Sequence, residues 1–157
     1  MHGNSRRPES GQSGPHPALE RKVRRHLQYP WRAPVADHTR RAFEEARRWR
    51  HRRGTARPLI LDSGCGTGRS SVHLARTWPE ALVIGVDQSR ARLERATARF
   101  SHPDNLLLLQ AESADFLRLA RSEGWRPARQ YLLYPNPWPR PAHLGRRWRR
   151  YRRGPDL

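Results

Sequence analysis

"LILDSGCGTGRSS", residues 59–71, decides the fold. Leu59, Ile60 and Leu61 form an apolar run too short for a helix, so they read as the end of a buried strand. Asp62 follows, and then Gly64, Gly66 and Gly68 alternate with Cys65 and Thr67. Glycines at that spacing let the backbone bend sharply and approach a ligand closely. The stretch is therefore a strand, a glycine-rich loop and the start of a helix.

The same alternation continues on either side. The first strand is expected at 58–61 and its helix at 70–78. "ALVIGVD" at 81–87 reads as the second strand. A helix follows at 89–100, with Ser89 placed to cap it and Leu93, Ala96 and Phe100 on one face. "NLLLLQAE" at 105–112 is a third strand, "ADFLRLARS" at 114–122 a helix, and "QYLLYP" at 130–135 a fourth strand. Strands alternating with helices predict an α/β fold, a Rossmann-like, doubly wound, mostly parallel sheet. The expected organisation is a disordered polar arm at 1–19, a basic helical segment at 20–56, a Rossmann-like domain at 57–145 and a basic tail at 146–157. Within the basic segment Val35, Ala42, Phe43, Ala46 and Trp49 recur at helical spacing, so that helix is expected to pack on the body with its arginines outward. A solvated amphipathic face is preferred there to a direct RNA contact.

The formal net charge of +18 marks a chain suited to nucleic acid or another polyanion, although a bias towards arginine codons gives the same excess. Lys22 is the only lysine. Arginine suits phosphate because its planar fork donates two parallel hydrogen bonds. Cys65 is the only cysteine, so no intrachain disulfide forms and a cytoplasmic location is expected. No apolar run approaches the ~20 residues of a membrane span. No signal-peptide core, metal-ligand spacing, helix-turn-helix or zinc pattern is present, and oligomeric state is not legible.

The cofactor site follows from the loop. Asp62, Gly64, Gly66 and Gly68 give D-x-G-x-G-x-G at a strand-to-helix turn. Asp87 ends the next strand, where a carboxylate can take both hydroxyls of a ribose. Glu112, at the end of the third, can accept from an adenine amino group. A dinucleotide oxidoreductase shares this logic, but Arg69 stands where its third glycine belongs, and no phosphate-cradling GK[ST] follows. The acidic start resembles the first motif of class I S-adenosylmethionine (AdoMet) methyltransferases. An acid at the loop entrance suits their cationic cofactor and repels a diphosphate. Cys65 has no activating base beside it and reads as a small residue that fits.

The fourth strand runs into "YPNPWPRPAHLGRRW" at 134–148. Prolines fix the backbone around Asn136 and give up amide donors, so the segment reads as a rigid shelf. Here the chain resembles the bacterial tRNA (guanine-N7) methyltransferases, which carry F-P-D-P-W, then H-K, then a His and paired Arg. The resemblance extends from about residue 40 to 148. It implies that Asp62, Asp87, Glu112 and Asn136 contact the cofactor, with Asn136 also at the catalytic position. It further implies substrate contacts for Trp138, Arg140, His143, Arg146 and Arg147, and tRNA as the partner. Guanine N7 carries an in-plane lone pair, so transfer needs no base, and catalysis is mostly alignment in a dry pocket. Trp138 is equally a ring packed on the prolines.

Two departures shape the expectation. Asn136 stands where the family has Asp, and losing one preorganised electrostatic group typically costs ~2.7–4 kcal/mol, or 10²–10³ in rate. Asn also resembles the Asn-Pro-Pro-aromatic shelf of enzymes that methylate adenine or glutamine amino groups, although here Pro and Trp are exchanged. The family also continues past the paired Arg with further strands, whereas this sequence reads as stopping after the fourth, with an exposed edge and marginal stability. A non-catalytic RNA-binding remnant is the alternative from another class.

Overall fold

The computed structural model describes residues 17–29, 33–99 and 101–133. The β-rich apolar runs become strands and the amphipathic runs become helices, in the expected order. β1 (Leu59–Ser63), β2 (Leu82–Asp87), β3 (Leu106–Gln110) and β4 (Arg129–Tyr131) form one parallel sheet in the order β3-β2-β1-β4. Between them run α3 (Arg69–Thr77), α4 (Arg90–Arg99) and α5 (Ser113–Ser122), and α2 (Asp37–Arg53) precedes them. Every residue of β1 and of β2 is buried, because a parallel sheet with helices on both faces leaves neither side to water.

Successive side chains point to opposite faces, and the two faces hold two cores. Leu59, Leu61, Leu82, Ile84, Val86 and Leu109 pack with α2 and α5. An aromatic trio seals that layer: Phe43 lies 5.4 Å from Phe116 and 4.9 Å from Trp125, centroid to centroid. Ile60, Val83 and Leu106 face the other way, against Val72, Leu74 and Ala75 of α3. α4 follows β2 as α3 follows β1, and right-handed crossovers put both on this second face. Buried Asn105 ties the layer together, since its amide donates to the carbonyls of Ala75, Trp78 and Ala81 at 2.9–3.1 Å.

α3 leaves β1 towards one face, whereas α5 leads from β3 to β4 over the other. The sheet therefore reverses its winding direction between β1 and β4, and a crevice opens above the carboxyl ends of the strands at such a switch. The described residues from 34 to 133 belong to one unit, and α2 packs into the same core as the strands. α1 (Leu19–Gln28) belongs to a second unit; it is a basic helix with an exposed Arg24–Glu20 ion pair of 2.7 Å. No helix of the described residues is long and apolar enough to cross a membrane.

Most element bounds differ from expectation by a residue or so, and three differences in the strands bear on the site. β1 runs on through Asp62 and Ser63, so the acid sits inside the ladder. β3 ends at Gln110, two residues before Glu112. β4 covers Arg129–Tyr131, paired with Ile60, Leu61 and Asp62 of β1, and so begins one residue earlier than expected. Phe100, Tyr134 and Pro135 lie outside the described residues.

Candidate cofactor-binding site

Register brings the acids to one end of the sheet. Ser63 pairs with Val86 and Asp87 with Gln110, so Asp62, Asp87 and Glu112 all lie at the carboxyl ends of three neighbouring strands. Between the first two, the loop turns through Gly64, Gly66 and Gly68 at φ of 74°, 59° and 69°. L-residues rarely adopt that left-handed backbone, which is why the loop alternates glycine with other residues. Gly68 immediately precedes α3, and its carbonyl accepts from the Val72 N–H at 2.9 Å.

Asp62 is almost fully buried, at 1% exposure. Its Oδ2 accepts from the hydroxyls of Ser70 and Ser71 at 2.6 and 2.7 Å, both from the first turn of α3. Its Oδ1 has no partner among the described residues. The Asp87 Oδ2 accepts from the Gly66 N–H at 2.9 Å, and its Oδ1 accepts from the Ser89 N–H at 2.8 Å. The Arg92 guanidinium stands 3.9 Å from the Asp87 carboxylate. Glu112 caps α5, accepting from the Asp115 N–H at 2.8 Å, while its own N–H donates to Thr39 Oγ1 of α2 at 3.1 Å.

Two supporting residues carry no sequence signal of their own. Thr39 is a buried polar residue among helical positions, and only the fold reveals that it meets Glu112. Gly85 reads as one more strand residue, yet a Cβ there would lie 2.4 Å from Ser71 Oγ and 2.6 Å from Leu108 Cδ2. The missing side chain lets α3 and the loop sit down on β2. Cys65 is buried beside these groups, and burial, helped by the charges of Asp62 and Asp87, pushes its thiol from 9.0 up to about 12. It is a packing residue at neutral pH.

The site therefore offers acceptors. A carboxylate has roughly four acceptor sites, and among the described residues none of the three acids uses more than two. AdoMet presents complementary donors: an ammonium, two ribose hydroxyls and an adenine amino group. A Cβ built at Gly66 would meet nothing within 4 Å, so the loop leaves space in front of it. The residues fit that cofactor. No group of three or more His, Cys, Asp or Glu that could hold a metal occurs among the described residues. Asn136, Trp138, Arg140, His143, Arg146 and Arg147 lie outside the described residues.

A family model described as "Putative methyltransferase" (Methyltransf_4) matches residues 56–151. The tRNA (guanine-N(7)-)-methyltransferase of Rubrobacter xylanophilus is 38% identical over 96 residues, which are 60% of this chain and 42% of that protein. The protein of the same name from Mycobacterium ulcerans is 32% identical over 108 residues, 66% of this chain and 37% of the relative. A trans-aconitate 2-methyltransferase of Escherichia coli is 38% identical over 84 residues, 49% of this chain and 32% of the relative. The chain thus spans about two-fifths or less of the length of these relatives.

Proposed function

Because the chain belongs to the methyltransferase family whose model covers residues 56–151, we propose that it is an AdoMet-dependent methyltransferase acting on N7 of a guanine in tRNA, in the cytoplasm. The observation that carries the cofactor half is the convergence of Asp62, Asp87 and Glu112 on one end of three adjacent strands, around a loop of left-handed glycines. In this reading the free oxygen of Asp62 and the loop backbone hold the methionine end. Asp87 accepts from the ribose, and Glu112 accepts from the adenine. Bound AdoMet supplies an electrophilic methyl on a sulfonium.

The tRNA half rests on sequence. Relatives are named as tRNA (guanine-N(7)-)-methyltransferases, the family model spans the shelf, and "PNPWPR" at 135–140 resembles that family's proline-flanked acid. Trp138 walls the base, and Arg140, His143, Arg146 and Arg147 hold the RNA backbone. Asn136 aligns the acceptor without the charge of a carboxylate, so turnover is slow. The same amide supports a second reading, an RNA-binding protein without turnover.

Calorimetry of the purified chain with AdoMet tests the first half, and transfer of label from AdoMet to bulk tRNA, with mass spectrometry of the nucleosides, tests the second. Stoichiometric uptake and 7-methylguanosine are expected. No uptake by folded protein overturns the cofactor site. Uptake with tRNA binding but no transfer favours the second reading, and label on an adenine amino group or on protein moves the chain to the amino-methylating class.

A further inference from the structure

Seven of the 17 residues of α2 are arginines. Thr39, Ala42, Phe43, Ala46 and Trp49 occupy its core side. At 3.6 residues per turn, Arg41, Arg48 and Arg52 fall within about 40° of one another away from that side, over about 16 Å of helix. All three are exposed and have no ion-pair partner among the described residues, whereas Arg47 is taken by Glu44 at 2.9 Å. Glu45 is the acid nearest the row and leaves it net positive.

Position distinguishes this row from a merely solvated face. The Thr39–Glu112 hydrogen bond fixes the first turns of α2 at the carboxyl ends of the strands, beside the candidate cofactor site. The helix then descends the flank of the sheet. Just past its end, the Arg57 guanidinium donates to the carbonyls of Pro79 and Glu80, ahead of β2 and at the opposite end of the strands. The arginine row thus starts at the rim of the site and leads away from it. A membrane is a poor match, because the apolar side that an interfacial helix would insert is already spent on the core. Arginine forks spaced along one line in water match a phosphodiester chain.

We propose that Arg41, Arg48 and Arg52 form a phosphate track on α2 that holds the RNA backbone alongside the sheet, starting near the end of β3 that carries Glu112. This rests on the RNA-methyltransferase reading above and adds the surface on which the RNA lies.

The test compares two triple variants of the full chain. One neutralises the row as Arg41→Gln, Arg48→Gln and Arg52→Gln. The other removes the same charge from α3 and α4 as Arg76→Gln, Arg90→Gln and Arg95→Gln. Filter binding of a tRNA transcript is measured across salt, and AdoMet uptake is measured on the same samples. The α2 variant is expected to bind RNA about tenfold or more weakly, with a log–log salt slope shallower by ~2–3, while taking up AdoMet as before. The α3/α4 variant is expected to lose less than about threefold. Equal losses in the two variants, or an unchanged slope in the first, overturn the track. So does duplex DNA or an anionic vesicle that binds as tightly as tRNA with the same dependence on α2. If wild type binds AdoMet and tRNA and only the track fails, the methyltransferase reading stands. If wild type takes up no AdoMet, that reading fails by itself.

Discussion

The N–H of Glu112 donates to the side-chain oxygen of Thr39, 73 residues earlier in the chain. One hydrogen bond thus joins the helix that precedes the sheet to the acid beyond its third strand. Thr39→Val keeps the shape and removes the acceptor. An unpaired, partly buried N–H costs about 1–3 kcal/mol, so the melt is expected to fall by several degrees and AdoMet affinity to weaken, with Thr39→Ser restoring both. A calorimetric melt of the Val variant matching wild type would show that Glu112 is held by its helix cap alone.

Gly85→Ala forces a Cβ to within 2.4 Å of the Ser71 hydroxyl and 2.6 Å of Leu108. Overpacking of this kind costs typically ~1–3 kcal/mol. The Ser71 hydroxyl also braces Asp62, so AdoMet affinity is expected to fall along with stability. Urea melts and calorimetry on one preparation check both.

Cys65 gives a pH prediction with a definite sign. Its thiol is raised from 9.0 to about 12 in the fold, so the native state holds that proton more tightly than the unfolded chain. The resulting stabilisation is complete below about pH 9 and is lost as pH rises towards 12. Cys65→Ala is expected to show a shallower alkaline decline in denaturant melts. Folded wild type is expected to resist a thiol reagent at pH 8 until it is unfolded, and prompt stoichiometric labelling would contradict the burial.

Asp87→Ala removes the acceptor of the Gly66 and Ser89 amides as well as the proposed seat of the ribose. AdoMet affinity is expected to drop by more than tenfold, since a buried charge-assisted hydrogen bond is worth about 1.5–3 kcal/mol. An unchanged dissociation constant by calorimetry would place the ribose elsewhere.

Asn136→Asp supplies the carboxylate that the proposed role of Asn136 lacks. Guanine methylation is expected to rise by about 10²–10³, the scale of one preorganised electrostatic group. A labelled-AdoMet assay reads this directly, and no gain would mean that Asn136 is not the weak point.

The sheet and its order of elements were legible because local pattern determines them. Alternating apolar strands, amphipathic helices and the glycine spacing at Gly64, Gly66 and Gly68 are properties of short windows. The acids were legible as residues at strand ends. Their hydrogen-bonding partners were not, because Thr39 and Glu112, or Asp87 and Gly66, meet only after the chain has crossed the sheet. Gly85 was hidden for the same reason, since its need for no side chain comes from α3 and β3 and not from its own strand. β4 begins at Arg129, ahead of its apolar run, because its start is set by pairing with Ile60 of β1 and not by apolar character.

The Asp87 carboxylate fastens a loop that belongs to another strand: it grows from β2, yet it grips the amide of Gly66, which follows β1. The cradle is therefore a closed circuit and not a row of independent tips. A disturbance anywhere in β2 propagates into the turn after β1, and the exchange rate of a single amide hydrogen, that of Gly66, reports on the integrity of both.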